Sequence, residues 1–208
     1  MKISNYIKTL GLTLAIAAPM YKAPLYAQLS EKDRFEKVVP PPEGSSDSAV
    51  LNAAPNPEIS INGKVQNAVI VVDLSKNVLF KYDSLGVAEK AYLIASGKPN
   101  TPTDKGVRIV THIEKYPYRT APKSTKRRKN PGAYGPNIIC LNKINPDNGE
   151  QSRTGEFIHG NSNKSSLGKY ASLGCIRMDN EVIKQLSKEV KRCLLYTSPS
   201  PRDVEESR

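Results

Sequence analysis

The sequence has no Trp, three Phe and two His among 208 residues, and these shortages narrow the chemistry before any motif is read. His112 and His159 stand far apart, and no His/Cys/Asp grouping has ligand spacing, so no metal site is expected. No glycine loop of the kind that cradles phosphates occurs, so no cofactor is expected. Beyond the N-terminus no apolar run approaches the roughly 20 residues of a spanning helix, so no membrane span is expected. The Cys are Cys140, Cys175 and Cys193. Two of them could pair in an oxidising compartment, but Cys140 lies in the apolar run Asn137-Ile-Ile-Cys-Leu141 and reads as a buried, free thiol, with Cys175 also free.

The chain opens with Lys2 and Lys8, continues through a short apolar run from Leu10 to Ala18, and reaches Pro19 and the small-residue stretch ending at Ala27. This is the layout of a secretory signal peptide over residues 1–27, cleaved after Ala27 or near Ala18, and it implies export to the periplasm or cell wall. The net charge is +11, which favours anionic surfaces; outside the cytoplasm these are wall polymers, carboxylate-bearing peptides and lipid headgroups rather than nucleic acid. The basic run Lys123, Lys126, Arg127, Arg128 and Lys129 has no interleaved aromatics and reads as a solvated loop.

Residues 28–66 carry Pro40-Pro41-Pro42, Gly44-Ser45-Ser46 and Pro55-Asn56-Pro57, the composition of a tether. From Asn67 onward, β-branched segments alternate with breakers: 69–74, 78–82, 87–96, 107–115, 138–141 and 156–159 read as strands. Val78, Phe80 and Tyr82 alternate with Leu79 and Lys81, as when one face meets a core. Gly97 to Gly106 is too rich in breakers to be other than a loop. One late segment has a helical period, with Val182, Ile183, Leu186 and Val190 on one face and Asp179 or Asn180 placed to cap it. The run Cys193 to Asp203 resembles the translation of a sequencing-library adapter, so residues 193–208 are set apart, and the catalytic unit is expected at 67–192, stopping after its helix.

Two stretches combine reactive side chains with glycine: Phe157-Ile-His-Gly160 and Ser172-Leu-Gly-Cys-Ile-Arg-Met178. A strand ending in His-Gly delivers an imidazole to a sheet rim. A Cys after Gly can be approached closely by substrate. A thiol acts as nucleophile in its thiolate form, so Cys175 with His159 as proton acceptor is a catalytic pair; a structural Cys beside an unrelated His is the alternative.

These two motifs, in this order, resemble the active-site signature of the L,D-transpeptidase (YkuD) catalytic domain. Val71 to Phe80 and Ala95 to Gly106 resemble that domain's opening strands and following loop. The resemblance implies a mainly β fold, a β-sandwich with one helix packed after the Cys motif. It implies acyl transfer from a peptidoglycan tetrapeptide stem to an acceptor amine with release of D-alanine, and acylation by carbapenems. An L,D-carboxypeptidase on the same fold, or a wall-binding module without catalysis, are the alternatives. By position, Cys175 is the nucleophile and His159 the base. Ser172 or the Gly160 carbonyl orients the imidazole, and the amides near Gly174 and Cys175 stabilise the oxyanion. Arg177 supports the site, binds a stem carboxylate, or pairs with a structural carboxylate. Leu173 stands where family members often carry a second His.

Overall fold

The computed structural model describes residues 40–190 and the backbone of 194–198. The expected signal peptide, the first part of the expected tether, Cys193 and the end of the tail lie outside the described residues. A helical turn, α1 (Ser48–Leu51), and a hairpin of β1 (Glu58–Ile61) and β2 (Lys64–Asn67) come first. Then follow β3 (Ile70–Asp73), β4 (Val78–Tyr82), β5 (Ala88–Leu93), the two-residue β6 (Ser96–Gly97) and β7 (Gly106–Lys115). A second helical turn, α2 (Lys126–Lys129), precedes β8 (Asn137–Ile144) and β9 (Gln151–Gly160). The chain continues through β10 (Tyr170–Ser172), β11 (Ile176–Met178), α3 (Asn180–Glu189) and β12 (Leu194–Ser198).

Eight strands form one sheet in the order β11-β9-β8-β7-β12-β3-β4-β5, in which β11 runs parallel to β9 and β12 parallel to β3 while the other pairs are antiparallel. The mainly β class and the late helix agree with the sequence reading. Asp179 caps α3 by accepting from the Glu181 amide at 2.8 Å, and Val182, Ile183 and Leu186 are buried against the sheet.

Alternation along each strand sends side chains to opposite faces. On β3, Ile70 and Val72 join the core beneath α3, together with Leu79, Ile139, Ile158, Ile176 and Met178. Val71, Val78, Phe80 and Tyr82 meet a second apolar layer on the other face. Leu79 is therefore as buried as Phe80, and the sequence expectation of a single buried face for β4 is corrected.

The tether expected over 28–66 is corrected for residues 40–66, which supply that second layer. Val50 of α1 and Ile59 of β1 are buried in it, with Leu51 and Ile61 packed alongside. The Tyr82 hydroxyl donates to the Pro55 carbonyl. Asn62 and Gly63 turn the hairpin at φ 51 and 73°, a two-residue Asn-Gly signal with a defined mechanism. Proline content masked it: the prolines stand between these apolar anchors rather than replacing them.

The expectation that the fold stops after α3 is also corrected. The β12 backbone lies between β7 and β3, pairing Leu195 with both Arg108 and Ile70. Leu-Leu-Tyr-Thr-Ser suits a strand, and its insertion supplies partners to two strand edges that otherwise present unpaired backbone groups.

Candidate active site

The face of β8, β9 and β11 opposite α3 carries the reactive groups. In the parallel β11–β9 ladder, Ile176 pairs with Ile158, Arg177 with His159 and Met178 with Gly160. Ile158, Ile176 and Met178 point into the core under α3, so His159 and Arg177 point the other way, from strands roughly 4.8 Å apart. Continuing the register by one residue sets Cys175 beside Phe157 on the same face. His159, Cys175, Arg177, Ser172 and Leu173 line one pocket of about 340 Å³.

His159 is buried. Its Nδ1 lies 2.6 Å from the Gly160 carbonyl oxygen; a carbonyl only accepts, so Nδ1 carries the proton and Nε2 keeps its lone pair. Burial pushes the imidazole pKa down to about 4, the Gly160 carbonyl opposes this, and the nearby Arg177 charge adds to the lowering. The ring is therefore neutral at pH 7 and able to take a proton. The Tyr134 ring packs on it with centroids 4.8 Å apart and planes inclined at 44°.

Cys175 is a free, partly buried thiol. Burial raises its pKa and the Glu156 charge adds to this, while the Phe157 amide and the Arg177 charge pull it back toward the thiolate. At rest the pair is thiol and neutral imidazole. Arg177 works on both partners in one direction, favouring the anion on sulfur and disfavouring the cation on the ring.

The loop that presents Cys175 is held by side chains the sequence reading passed over. The Ser172 carbonyl accepts from the Lys98 amide at 3.1 Å and from the Thr101 hydroxyl at 3.3 Å. Thr103 donates to the Gly174 carbonyl at 2.8 Å and accepts from the Gly97 amide at 2.9 Å. Gly174 sits at φ +114°, a left-handed conformation that favours glycine and turns the chain into β11. Gly160 has a different requirement: a Cβ there would lie 2.4 Å from Asn180 Oδ1 and 3.0 Å from the Gly135 Cα. The His-Gly motif is thus spelled by close packing of β9 against the residues before β8 and the start of α3.

Of the two groups proposed to orient the imidazole, the Gly160 carbonyl makes the contact. The Ser172 hydroxyl accepts instead from the Gly174 amide at 3.1 Å, which commits that amide within the loop rather than toward an oxyanion. Arg177 Nε is buried without a hydrogen-bond partner among the described residues, and no carboxylate pairs with Arg177 there, which removes the structural ion-pair reading. Leu173 is 70% exposed at the pocket. Cys140 is buried and free, as the apolar run implied. His112 is exposed on β7, with Nε2 3.4 Å from Glu114.

The basic run is not one solvated loop. Arg127 forms a forked ion pair with the buried Glu114, at 2.6 and 2.9 Å, and lies 5.2 Å from the centre of the Phe157 ring. Arg128 donates to the Pro117 and Tyr118 carbonyls. Lys126 and Lys129 line the pocket. Spacing could have separated these pairs on a helical turn, but nothing in the run announces the turn.

The chain belongs to the L,D-transpeptidase catalytic domain family, whose sequence model matches residues 67–197, ending within β12. No curated protein matches the chain. Among solved structures it is similar to the Enterococcus faecium L,D-transpeptidase catalytic domain, at 24% identity and TM-score 0.42, over 64% of this chain and 98% of that one. It is similar to Bdellovibrio bacteriovorus Bd1075 at 20% identity and TM-score 0.48, over 71% of this chain and 54% of that one. An L,D-transpeptidase from Mycobacterium tuberculosis H37Rv matches at 15% identity and TM-score 0.46, over 64% and 59%. The chain thus spans little more than half the length of the latter two proteins.

Proposed function

We propose that this chain is an exported peptidoglycan L,D-transpeptidase in which Cys175 is the nucleophile and His159 the general base. The supporting observation is that Cys175 and His159 lie on one sheet face and line one pocket, with Nδ1 tied to Gly160 and Nε2 left as the proton acceptor. Membership of the family supports peptidoglycan stem peptides as substrates. The Cys175 proton passes to Nε2 as sulfur attacks the carbonyl preceding the terminal D-alanine. The tetrahedral intermediate collapses, the C–N bond breaks, and imidazolium returns the proton to the departing amine. An acceptor amine then gives its proton to His159, attacks the thioester and releases the thiol. Because imidazolium is disfavoured by burial and by Arg177, it is a transient of each step rather than a resting partner.

Arg177, with a buried unpartnered Nε, is proposed to bind a stem carboxylate, where a guanidinium fork is well matched. Among the described residues no helix is long and apolar enough to cross a membrane; export rests on the signal-like N-terminus. The test is incubation of the purified chain with defined tetrapeptide muropeptides, followed by mass analysis. Cross-linked dimers with loss of D-alanine are expected. Tripeptide alone would assign a carboxypeptidase, and unchanged substrate with an unmodified Cys175 would sink acyl transfer altogether.

A further inference from the structure

The pocket at Cys175 is lined by three cations, Lys126, Lys129 and Arg177, and by no carboxylate. Two of these are on α2, a single turn whose four residues are all basic. The turn is sorted by contact. Arg127 and Arg128 fasten it to the body, through Glu114, the Phe157 ring and the carbonyls of Pro117 and Tyr118. Lys126 and Lys129 are one turn apart, exposed, and without ion pairs among the described residues. A basic stretch serving only solubility would not need a buried carboxylate to anchor one arginine while its neighbouring lysines face a reactive thiol.

From this arrangement we infer that Lys126 and Lys129 are specificity-determining residues that select acyl-donor peptides with free carboxylates over the same peptides carrying carboxamides. The inference rests on the acyl-transfer reading for the identity of the ligand, but not for the charge selection itself. A ligand that places a carbonyl at Cys175 brings its neighbouring groups beneath α2. The anionic groups of a peptide donor are carboxylates, and amidation removes the charge while keeping shape almost constant. Lysine ammonium groups on flexible stems act as point charges, so they tolerate variation in where the carboxylate lies. Arg127 is then a positioning residue, acting through the turn it anchors.

The test uses the full chain and two alkylating probes of similar size, anionic iodoacetate and neutral iodoacetamide, with adducts mapped to Cys175. The ratio of the two rates should fall roughly five- to tenfold in a Lys126→Gln/Lys129→Gln variant at low salt, with a residual preference from Arg177. The difference should fade at about 1 M salt, where the Debye length shrinks to about 3 Å. A Lys64→Gln/Lys188→Gln variant loses the same charge from exposed residues outside the pocket and should keep the wild-type ratio. The same lysine variant, given tetrapeptide stems in acid and amidated forms, should lose its acid preference mainly through KM. An unchanged alkylation ratio, or an equal fall in the control variant, overturns the inference. Charge-selective alkylation without turnover of any stem would sink acyl transfer and leave the selection standing. Turnover with equal kcat/KM on acid and amide would do the reverse.

Discussion

Cys140 and Cys175 flank the same phenylalanine. Cys140 pairs with Phe157 across the β8–β9 ladder, and Cys175 sits beside it on the other side, just before β11. Both thiols are free and burial raises both pKa values, that of Cys140 to about 12. Cys140 packs with Tyr118, Ala121 and Ile138 at the edge of a pocket where Glu114 engages both the His112 imidazole and the Arg127 guanidinium, while Cys175 opens on a pocket with the His159 imidazole, the Arg177 guanidinium and no carboxylate. At each thiol a carboxylate raises the pKa and a guanidinium lowers it, Glu114 and Arg127 at Cys140 and Glu156 and Arg177 at Cys175. The two surroundings differ in the exposure of the thiol and in whether a carboxylate engages the neighbouring imidazole and guanidinium, since the thiol and the sheet face are common to both.

The comparison is broken most severely by deleting one sulfur. Cys175→Ala should abolish cross-linking and the carbapenem adduct, measured by intact mass, because Cys175 is the only thiol among the described residues lining the pocket. An adduct that survives in this variant and maps to Cys140 would reverse the roles assigned to the two thiols. His159→Ala should come next, slowing acylation by about 10²–10⁴-fold with the thiol still present, the range for general acid–base assistance. Single-turnover mass measurements would read it, and a rate within a few-fold of wild type would remove His159 as the base.

How much of this was legible in the sequence follows the range of the forces involved. The Cys and His motifs, the helix after them and most strands are written in local pattern, and the structure places them together. The second apolar layer was missed because Val50 and Ile59 are thinly spread among prolines, so their burial is visible only once the β4 face that needs covering is known. β12 was missed because its spelling pointed to an adapter, while its pairing depends on a gap between β3 and β7, distant in sequence. Thr103, Tyr134 and the two lysines of α2 reach the site through loops, where contact is set by tertiary placement and no periodicity marks it.

A smaller effect sharpens the contrast through stability. His159 binds its proton near pH 4 in the folded chain and near 6.5 when unfolded. Between these values the unfolded state holds more protons, so stability rises with pH across the window and falls as pH drops through it. The full span amounts to about 3 kcal/mol, taking 1.36 kcal/mol per unit. Denaturant titrations at pH 6.5 and 4.5 should show most of that loss in the wild type and a much flatter response in His159→Gln. Asp104 and Asp179, whose pKa values lie below the carboxylate norm of 3.8, lose their contribution at lower pH and leave this window largely to the imidazole. Equal slopes in both proteins would mean that burial of His159 is not what sets its proton affinity.

The smallest expected effect belongs to the other thiol. Cys140→Ala removes one sulfur from a cluster whose exposure at this residue is 4%, comparable to deleting a buried methyl group, and should cost about 1 kcal/mol of stability. Because Phe157 separates it from the pocket, acylation of Cys175 should stay within about twofold of wild type. Arg127 is the route by which the loss could spread, since its side chain rests on Phe157 and holds α2 through Glu114. The iodoacetate to iodoacetamide ratio at Cys175 reads that route directly. An unchanged ratio in Cys140→Ala would make the sulfur a packing group alone, whereas a fall matching that of the lysine variant would mean that Cys140 supports the pocket by holding Phe157, and hence α2, in place.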